Sequence, residues 1–240
     1  MIPPKSVGVK VKPPNNGGRR LVITDIHGCA NTFKKLLEKV ELKHSDQLFL
    51  LGDFINRGPR SKEVIDHVLQ LDADGYHVYP LMGNHEETVL HIIREKPDEL
   101  RMLLKSRNSL CLLNKDKRIR KRFFRFMRNL PYYYELDNFY LVHAGFNLKI
   151  ENPLTDIHSM AWVRNFSLTE PFNDRTVYFG HTPTKLSKIK AAIESNASSI
   201  CLDNGCSHTY LGKEYGRLLC FDLDSKQLFK QKNIDLPIEM

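Results

Sequence analysis

Five short apolar runs in this chain each break into a cluster of Gly, Asp, Asn and His, and that recurrence limits the folds open to it. Residues 21–24 run into Asp25-Ile26-His27-Gly28, and residues 47–51 into Gly52-Asp53-Phe54-Ile55-Asn56-Arg57-Gly58. Residues 76–81 precede Gly83-Asn84-His85-Glu86, residues 139–142 lead to His143-Ala144-Gly145, and residues 176–179 lead to Gly180-His181-Thr182-Pro183. Short apolar runs bounded by turn formers read as buried strands. Stretches of helical periodicity separate them. Phe33, Leu36, Leu37 and Val40 share a face behind Asn31 as a cap, Val64, Ile65, Val68 and Leu69 share another over 61–71, and a third helix is expected over 86–94. Residues 199–202 and 218–223 read as two further strands. Strands alternating with helices predict an α/β fold with parallel pairing through right-handed crossovers. Ligands of such sheets sit beyond the carboxyl ends of the strands, so the polar clusters are expected to converge on one site.

The remaining sequence sets the boundaries. Residues 1–18 are rich in Pro, Gly, Asn and Lys and read as a flexible leader with a short edge strand over 7–11, followed by one domain over 19–240. Residues 95–131 change to a helical, basic pattern in which Ile119, Phe123, Phe126, Met127 and Leu130 fall at helix spacing. This insertion reads as an amphipathic helix covering the sheet, in preference to a nucleic-acid patch. The chain carries 36 Lys and Arg against 28 Asp and Glu, a net charge of +8 that favours anionic partners. No apolar run reaches the roughly 18–20 residues of a membrane helix, and the first residues lack an apolar signal stretch, so a cytoplasmic protein without a membrane partner is expected. Five scattered cysteines without a Cys-x-x-Cys pair point to free thiols, not to a disulfide scaffold or a zinc finger.

Asp25 and His27 stand two apart at a strand end, which turns both side chains to one side. An oxygen and an imidazole nitrogen presented together suit manganese, iron or zinc. Any one of the five clusters has an ordinary explanation in turns and caps, but the ordered set, each after an apolar run, does not. That set resembles the motif series of the phosphoprotein phosphatase family, within the calcineurin-like metallophosphoesterases. The likeness covers residues 21–223 and is nearest to the bacterial and phage branch, which includes Ser/Thr phosphatases and symmetrical diadenosine tetraphosphatases. Cys201-Leu202-Asp203-Asn204-Gly205 is similar to a late strand-and-turn motif of that branch.

The resemblance implies a four-layer α/β/β/α sandwich with two divalent or transition metal ions between its sheets, manganese first, with iron or zinc as alternatives. Asp25, His27 and Asp53 would hold one ion, and Asp53, Asn84, His143 and His181 the other. It implies attack of a bridging metal-bound hydroxide on phosphorus, with Arg57 and Arg164 (in Trp162-Val163-Arg164) clamping the phosphate and His85 as general acid. One departure stands out: the family's protein phosphatases usually have Asp where this chain has Asn56, so the partner of His85 brings no charge. The symmetrical tetraphosphatases also lack that Asp, whereas Glu86 gives the protein-phosphatase form of its motif. The expected function is a metal-dependent phosphatase acting on phosphomonoesters of proteins or peptides, resembling the bacterial Ser/Thr enzymes. The alternatives are a symmetrical diadenosine tetraphosphate hydrolase acting on a nucleotide, and a non-catalytic phosphate- or nucleic-acid-binding module. His44, His67, His77, His91, His158 and His208 match no motif and read as structural.

Overall fold

The computed structural model describes residues 6–14 and 17–236. Its strands are β1 (Gly8–Lys10), β2 (Arg20–Ile23), β3 (Gln47–Leu50), β4 (His77–Pro80), β5 (Tyr133–Glu135), β6 (Phe139–Val142), β7 (Thr176–Phe179), β8 (Ser199–Cys201), β9 (Arg217–Asp222) and β10 (Leu228–Lys232). Its α-helices are α1 (Ala30–Val40), α2 (Ser61–Ala73), α3 (Asn84–Glu95), α4 (Leu100–Ser106), α5 (Lys121–Arg128), α6 (Ile157–Trp162) and α7 (Leu186–Glu194). The first sheet has the order β10-β9-β2-β3-β4 and the second β1-β5-β6-β7-β8. The expected parallel pairing holds for β2-β3-β4 and for β6-β7-β8, while β9, β10 and the β5-β6 pair add antiparallel ladders.

The layers follow from side-chain alternation along each strand. Leu21, Ile23, Leu48 and Leu50 pack with Phe33, Leu36 and Val64 of α1 and α2, whereas Val22, Phe49 and Leu51 turn the other way. There they meet Tyr134, Leu141 and Ile200 of the second sheet. Tyr140, Val142, Val177 and Phe179 point away from that interface and are covered by Phe146, Phe172 and the buried Met160 of α6. These strands read as continuous apolar runs because both their faces are buried. The result is the four-layer sandwich, with α5 of the basic insertion laid over it by Phe123, Phe126 and Met127. Ile119 lies outside that helix, in a β-bridge to Leu113.

The edge strand expected within residues 7–11 forms as β1, paired in parallel with β5, while residues 1–5, 15 and 16 of the expected leader lie outside the described residues. Two local features differ from the sequence reading. The strands β5 and β10 and the helices α6 and α7 were not expected, being 3, 5, 6 and 9 residues long and too short to display a period in sequence. Asn31 does not cap α1, which starts one residue earlier. The carboxylate of Asp235 crosses from the other end of the chain instead, accepting from Asn31 N at 3.1 Å, Thr32 N at 2.8 Å and Thr32 Oγ1 at 2.7 Å. It satisfies backbone N–H groups that the first turn leaves open and places negative charge at the positive helix end. Asp235→Ala is expected to cost about 1–2 kcal/mol in urea unfolding; an unchanged midpoint would show that the distant cap contributes nothing. No helix among the described residues is long and apolar enough to cross a membrane, and the five cysteines are free.

Candidate metal centre

The loops leaving β2, β3, β4, β6 and β7 meet at one end of the sandwich, and they carry Asp25, His27, Asp53, Asn84, His143 and His181, all buried. Asp53 lies between two groups of donor atoms, one with His27 and His85 and one with His143 and His181, each within 4.8 Å. Its Oδ2 is 3.4 Å from His27 Nε2, and its Oδ1 is 3.7 Å from His143 Nε2. Asn84 Oδ1 is 3.1 Å from both His143 Nε2 and His181 Nδ1. Asp25 is placed alongside but outside both groups, its carboxylate accepting from His181 N at 3.0 Å. Seven polar residues from five loops are thereby brought together as the strand-end argument requires.

The chemistry of the donors fits cations. His27 Nδ1 lies 3.0 Å from the Ile55 carbonyl and His143 Nδ1 lies 2.8 Å from the Leu51 carbonyl. Each of these nitrogens must donate, so each Nε2 turns a bare lone pair inward. His143 Nε2 then faces the Asn84 carbonyl oxygen, acceptor against acceptor, an arrangement that a cation resolves. Burial pushes His27 well below the ordinary imidazole range and His181 down to about 3, which keeps both rings neutral as ligation requires. Burial and the charge of Asp53 push Asp25 well above the usual carboxylate range. Burial would push Asp53 up as well, but the imidazoles of His85, His143 and His27 outweigh it and hold its carboxyl low. Among the described residues, the ion-pair partners of Asp53 are these imidazoles alone.

Asn56 meets His85, with its Nδ2 2.8 Å from the ring Nδ1. The amide donates, and its Oδ1 is buried without a partner. Burial, with the charges of Arg57 and Arg107, lowers His85 against the pull of Asp53. Glu86, wholly buried on the first turn of α3, fastens the loops together. Its Oε2 accepts from Asp53 N at 2.9 Å and Gly83 N at 3.2 Å, and its Oε1 from Phe54 N at 2.9 Å and Ile55 N at 3.2 Å. Burial and the Asp53 charge push Glu86 up to about 8, against the pull of His143 and of its backbone donors.

A cavity of about 160 Å³ opens over Asp53, Asn84, His85 and His181, and Arg57, Arg107 and Arg164 line it. Arg107 was missed in the sequence because the insertion reads as an amphipathic helix that covers the sheet, with its basic residues turned to solvent. In fact Arg57 N donates to the Arg107 carbonyl at 2.9 Å, and Ser109 Oγ accepts from Asn56 N at 3.0 Å. His208, read as structural, also belongs here, since its Nε2 meets Arg57 Nη1. Burial and the Arg57 charge lower it to about 4, so the neutral ring accepts from the guanidinium. Its place just after Cys201-Leu202-Asp203-Asn204-Gly205 was the available signal.

The backbone at this site is strained. Asp25, His27, Asp53, Asn56, Arg57 and His181 all have positive φ, between 45° and 73°, a region that disfavours residues with a Cβ. Close approach is equally demanding. A Cβ on Gly83 would lie 2.2 Å from Asp53 Oδ1, and one on Gly180 would lie 2.1 Å from Asp25 Oδ2.

Comparison with known proteins agrees with this geometry. The family described as calcineurin-like phosphoesterase matches residues 18–229. The symmetrical bis(5'-nucleosyl)-tetraphosphatase of Nitrosococcus oceani is 33% identical over 126 residues, 51% of this chain and 42% of that protein. The enzyme of the same name from Vibrio campbellii is 31% identical over 137 residues, 57% of this chain and 46% of that protein. The matched stretches thus span under half the length of these relatives. Among solved structures, one assigned to a diadenosine tetraphosphatase has a TM-score of 0.61 at 22% identity, covering 94% of this chain and 97% of that one. A Saccharomyces cerevisiae protein serine/threonine phosphatase has 0.59 at 16%, covering 98% and 85%. A cold-active protein tyrosine phosphatase has 0.62 at 17%, covering 98% and 84%. At these identities the structural likeness speaks for the fold.

Proposed function

Because this chain belongs to the calcineurin-like phosphoesterase family, we propose that it hydrolyses phosphate esters or anhydrides with two bound cations, favouring leaving groups that need little protonation. Nucleotide anhydrides and aryl phosphates rank ahead of phosphoserine peptides in this reading. The observation that carries it is the uncharged amide of Asn56 against His85 Nδ1. With Nδ1 occupied by an N–H, the proton of the neutral ring sits on Nε2, the nitrogen 3.9 Å from Asp53 Oδ2. His85 therefore acts as a donor to the leaving oxygen and not as a ligand, which leaves Asp25 with His27 and Asp53 to hold the first cation. Asp53, Asn84, His143 and His181 hold the second. When bound, such a pair lowers the pKa of water between the ions and stabilises charge on phosphoryl oxygens; manganese fits the mixed oxygen and nitrogen donors, as do iron and zinc.

The protein's own groups do the rest. Arg57 and Arg164, at the mouth of the cavity, present planar forks to phosphate oxygens and orient the substrate. His208 accepts from Arg57 and fixes the direction of its guanidinium. Arg107 adds charge from the insertion, which ties that segment to the site and supports an enzyme over a separate nucleic-acid module. Asn56 brings no charge to His85, and burial with the charges of Arg57 and Arg107 outweighs the pull of Asp53, so His85 protonates a basic alkoxide poorly and a phenolate or nucleoside diphosphate needs it little.

Manganese-supplemented protein offered diadenosine tetraphosphate and phosphopeptides side by side is expected to release nucleoside diphosphate faster than it releases phosphate from phosphoserine. The reverse ranking would move the protein to the serine/threonine phosphomonoesterases. Asn56→Asp supplies the missing charge, which favours the imidazolium and raises the His85 pKa. The alkaline limb of the rate profile should move to higher pH, and the phosphoserine-to-aryl rate ratio should rise by on the order of tenfold. An unchanged ratio removes Asn56 as the origin of the preference.

A further inference from the structure

Next to the phosphate cavity lies a second one of about 450 Å³, and Thr88 and Trp162 line both. Met82, Leu90, Tyr132 and Trp162 give it apolar and aromatic walls. Glu87 braces the two rings. Its Oε1 accepts from the Tyr132 hydroxyl at 3.0 Å, and its Oε2 accepts from Trp162 Nε1. His158 stacks on Trp162 with centroids 6.1 Å apart and planes 19° apart. Arg94 and Arg128, both exposed, also line this cavity. None of these groups except the shared wall has a part in the phosphate chemistry above.

We propose that this second cavity binds the nucleoside of a nucleotide substrate while a phosphate of the same molecule occupies the metal centre. The inference rests on the phosphohydrolase reading and narrows its substrate class. The volume lies in the range of small-molecule sites, about 300–1,000 Å³, which combine apolar walls with a few fixed polar groups. Rigid aromatic walls suit a planar base. The Glu87 carboxylate uses one acceptor position on each oxygen for Tyr132 and Trp162, which leaves lone pairs for the N–H donors of a base. Arg94 and Arg128 suit phosphates beyond the one that reacts. A serine side chain would fill none of this space, and a tyrosine ring would bring no second phosphate to Arg94, which pairs with Glu95, or to Arg128.

Trp162 is the chain's single tryptophan, so its emission reports occupancy without any turnover. The full chain without added metal is titrated with adenosine, ADP, inorganic phosphate and a phosphotyrosine peptide. Adenosine and ADP are expected to change the emission saturably, ADP binding at least tenfold more tightly, and adenosine is expected to do so equally when inorganic phosphate is already saturating, because Trp162 lines both cavities. The paired substitution Arg94→Ala and Arg128→Ala should narrow the difference between ADP and adenosine. Leu90→Phe, which narrows the cavity, should weaken both and lower the ratio of diadenosine tetraphosphate to p-nitrophenyl phosphate turnover at least tenfold. If nucleosides fail to bind while manganese-dependent p-nitrophenyl phosphate hydrolysis persists, this inference is wrong and the phosphohydrolase reading survives. If they bind but no phosphate compound is hydrolysed, the subsite stands as a binding site and the catalytic reading falls. A response to the phosphopeptide alone overturns the nucleoside assignment.

Discussion

Asp53→Asn should abolish metal-dependent hydrolysis while leaving the protein folded. Asp53 is the one side chain common to both groups of donor atoms. Loss of a mere supporting partner of a metal ligand typically costs 10–100-fold, so loss of the shared carboxylate should exceed about 100-fold with p-nitrophenyl phosphate or diadenosine tetraphosphate. The fold should persist because an amide oxygen can still accept from His85 N, which lies 3.0 Å from Asp53 Oδ1. The metal-free form should keep roughly the parent stability, since Asn relieves the charge that raises Asp25 but gives up the imidazoles that hold Asp53 low. Three measurements check this: turnover, bound manganese per chain, and the urea midpoint of the metal-free protein. Turnover near the parent level with full metal content would remove Asp53 from the centre.

Glu86→Gln is expected to have the largest effect on stability. All four backbone donors of Glu86 sit in the loops that present Asp53 and Asn84. A glutamine oxygen can take over two of them, but its NH₂ then meets the other two N–H groups donor against donor. Each unsatisfied buried donor costs about 1–3 kcal/mol, so a loss of about 3 kcal/mol or more is expected in urea unfolding. Activity should fall as well, because Asp53 N and Gly83 N lose their anchor. Glu86→Asp keeps two carboxyl oxygens and loses one methylene of reach, so it should rank between Gln and the parent. Parent-like stability in Glu86→Gln would show that the loops hold themselves without this carboxylate.

The strand ends were the legible part of the site. Asp25, His27, Asp53, Asn84, His143 and His181 each follow an apolar run, and a chain reversal after a buried strand needs short polar residues and glycine. Burial on both faces put β2, β3, β6 and β7 between two layers, which is why they read so clearly, whereas β4 is a half-buried edge strand. Residues that reach the site from elsewhere gave no such signal. Arg107 and Ser109 come from the insertion, which reads as a covering amphipathic helix with a solvated basic face. His208 reaches Arg57 across 151 positions of sequence, and Asp235 caps α1 from 204 positions away. Contacts of that kind depend on the closed fold, and no local pattern of residue types encodes them. Asn56 was singled out in the sequence, and the structure sets its amide nitrogen against His85 with the oxygen buried and unpartnered.

Six residues of the site hold a left-handed backbone, and that has a bearing on how this protein can be changed. A residue with a Cβ pays roughly 1–2 kcal/mol for such a conformation, whereas glycine adopts it freely. Selection for heat tolerance alone would therefore favour glycine at Asp25, Asp53 or Arg57, positions on which the proposed turnover depends. Libraries screened only for expression or solubility should accumulate inactive, sturdier variants, and the losses should begin at the centre and not at the periphery. A descendant relieved of its catalytic duty would drift along the same path. It would keep its sheets and helices while erasing the motifs by which its ancestry could be read.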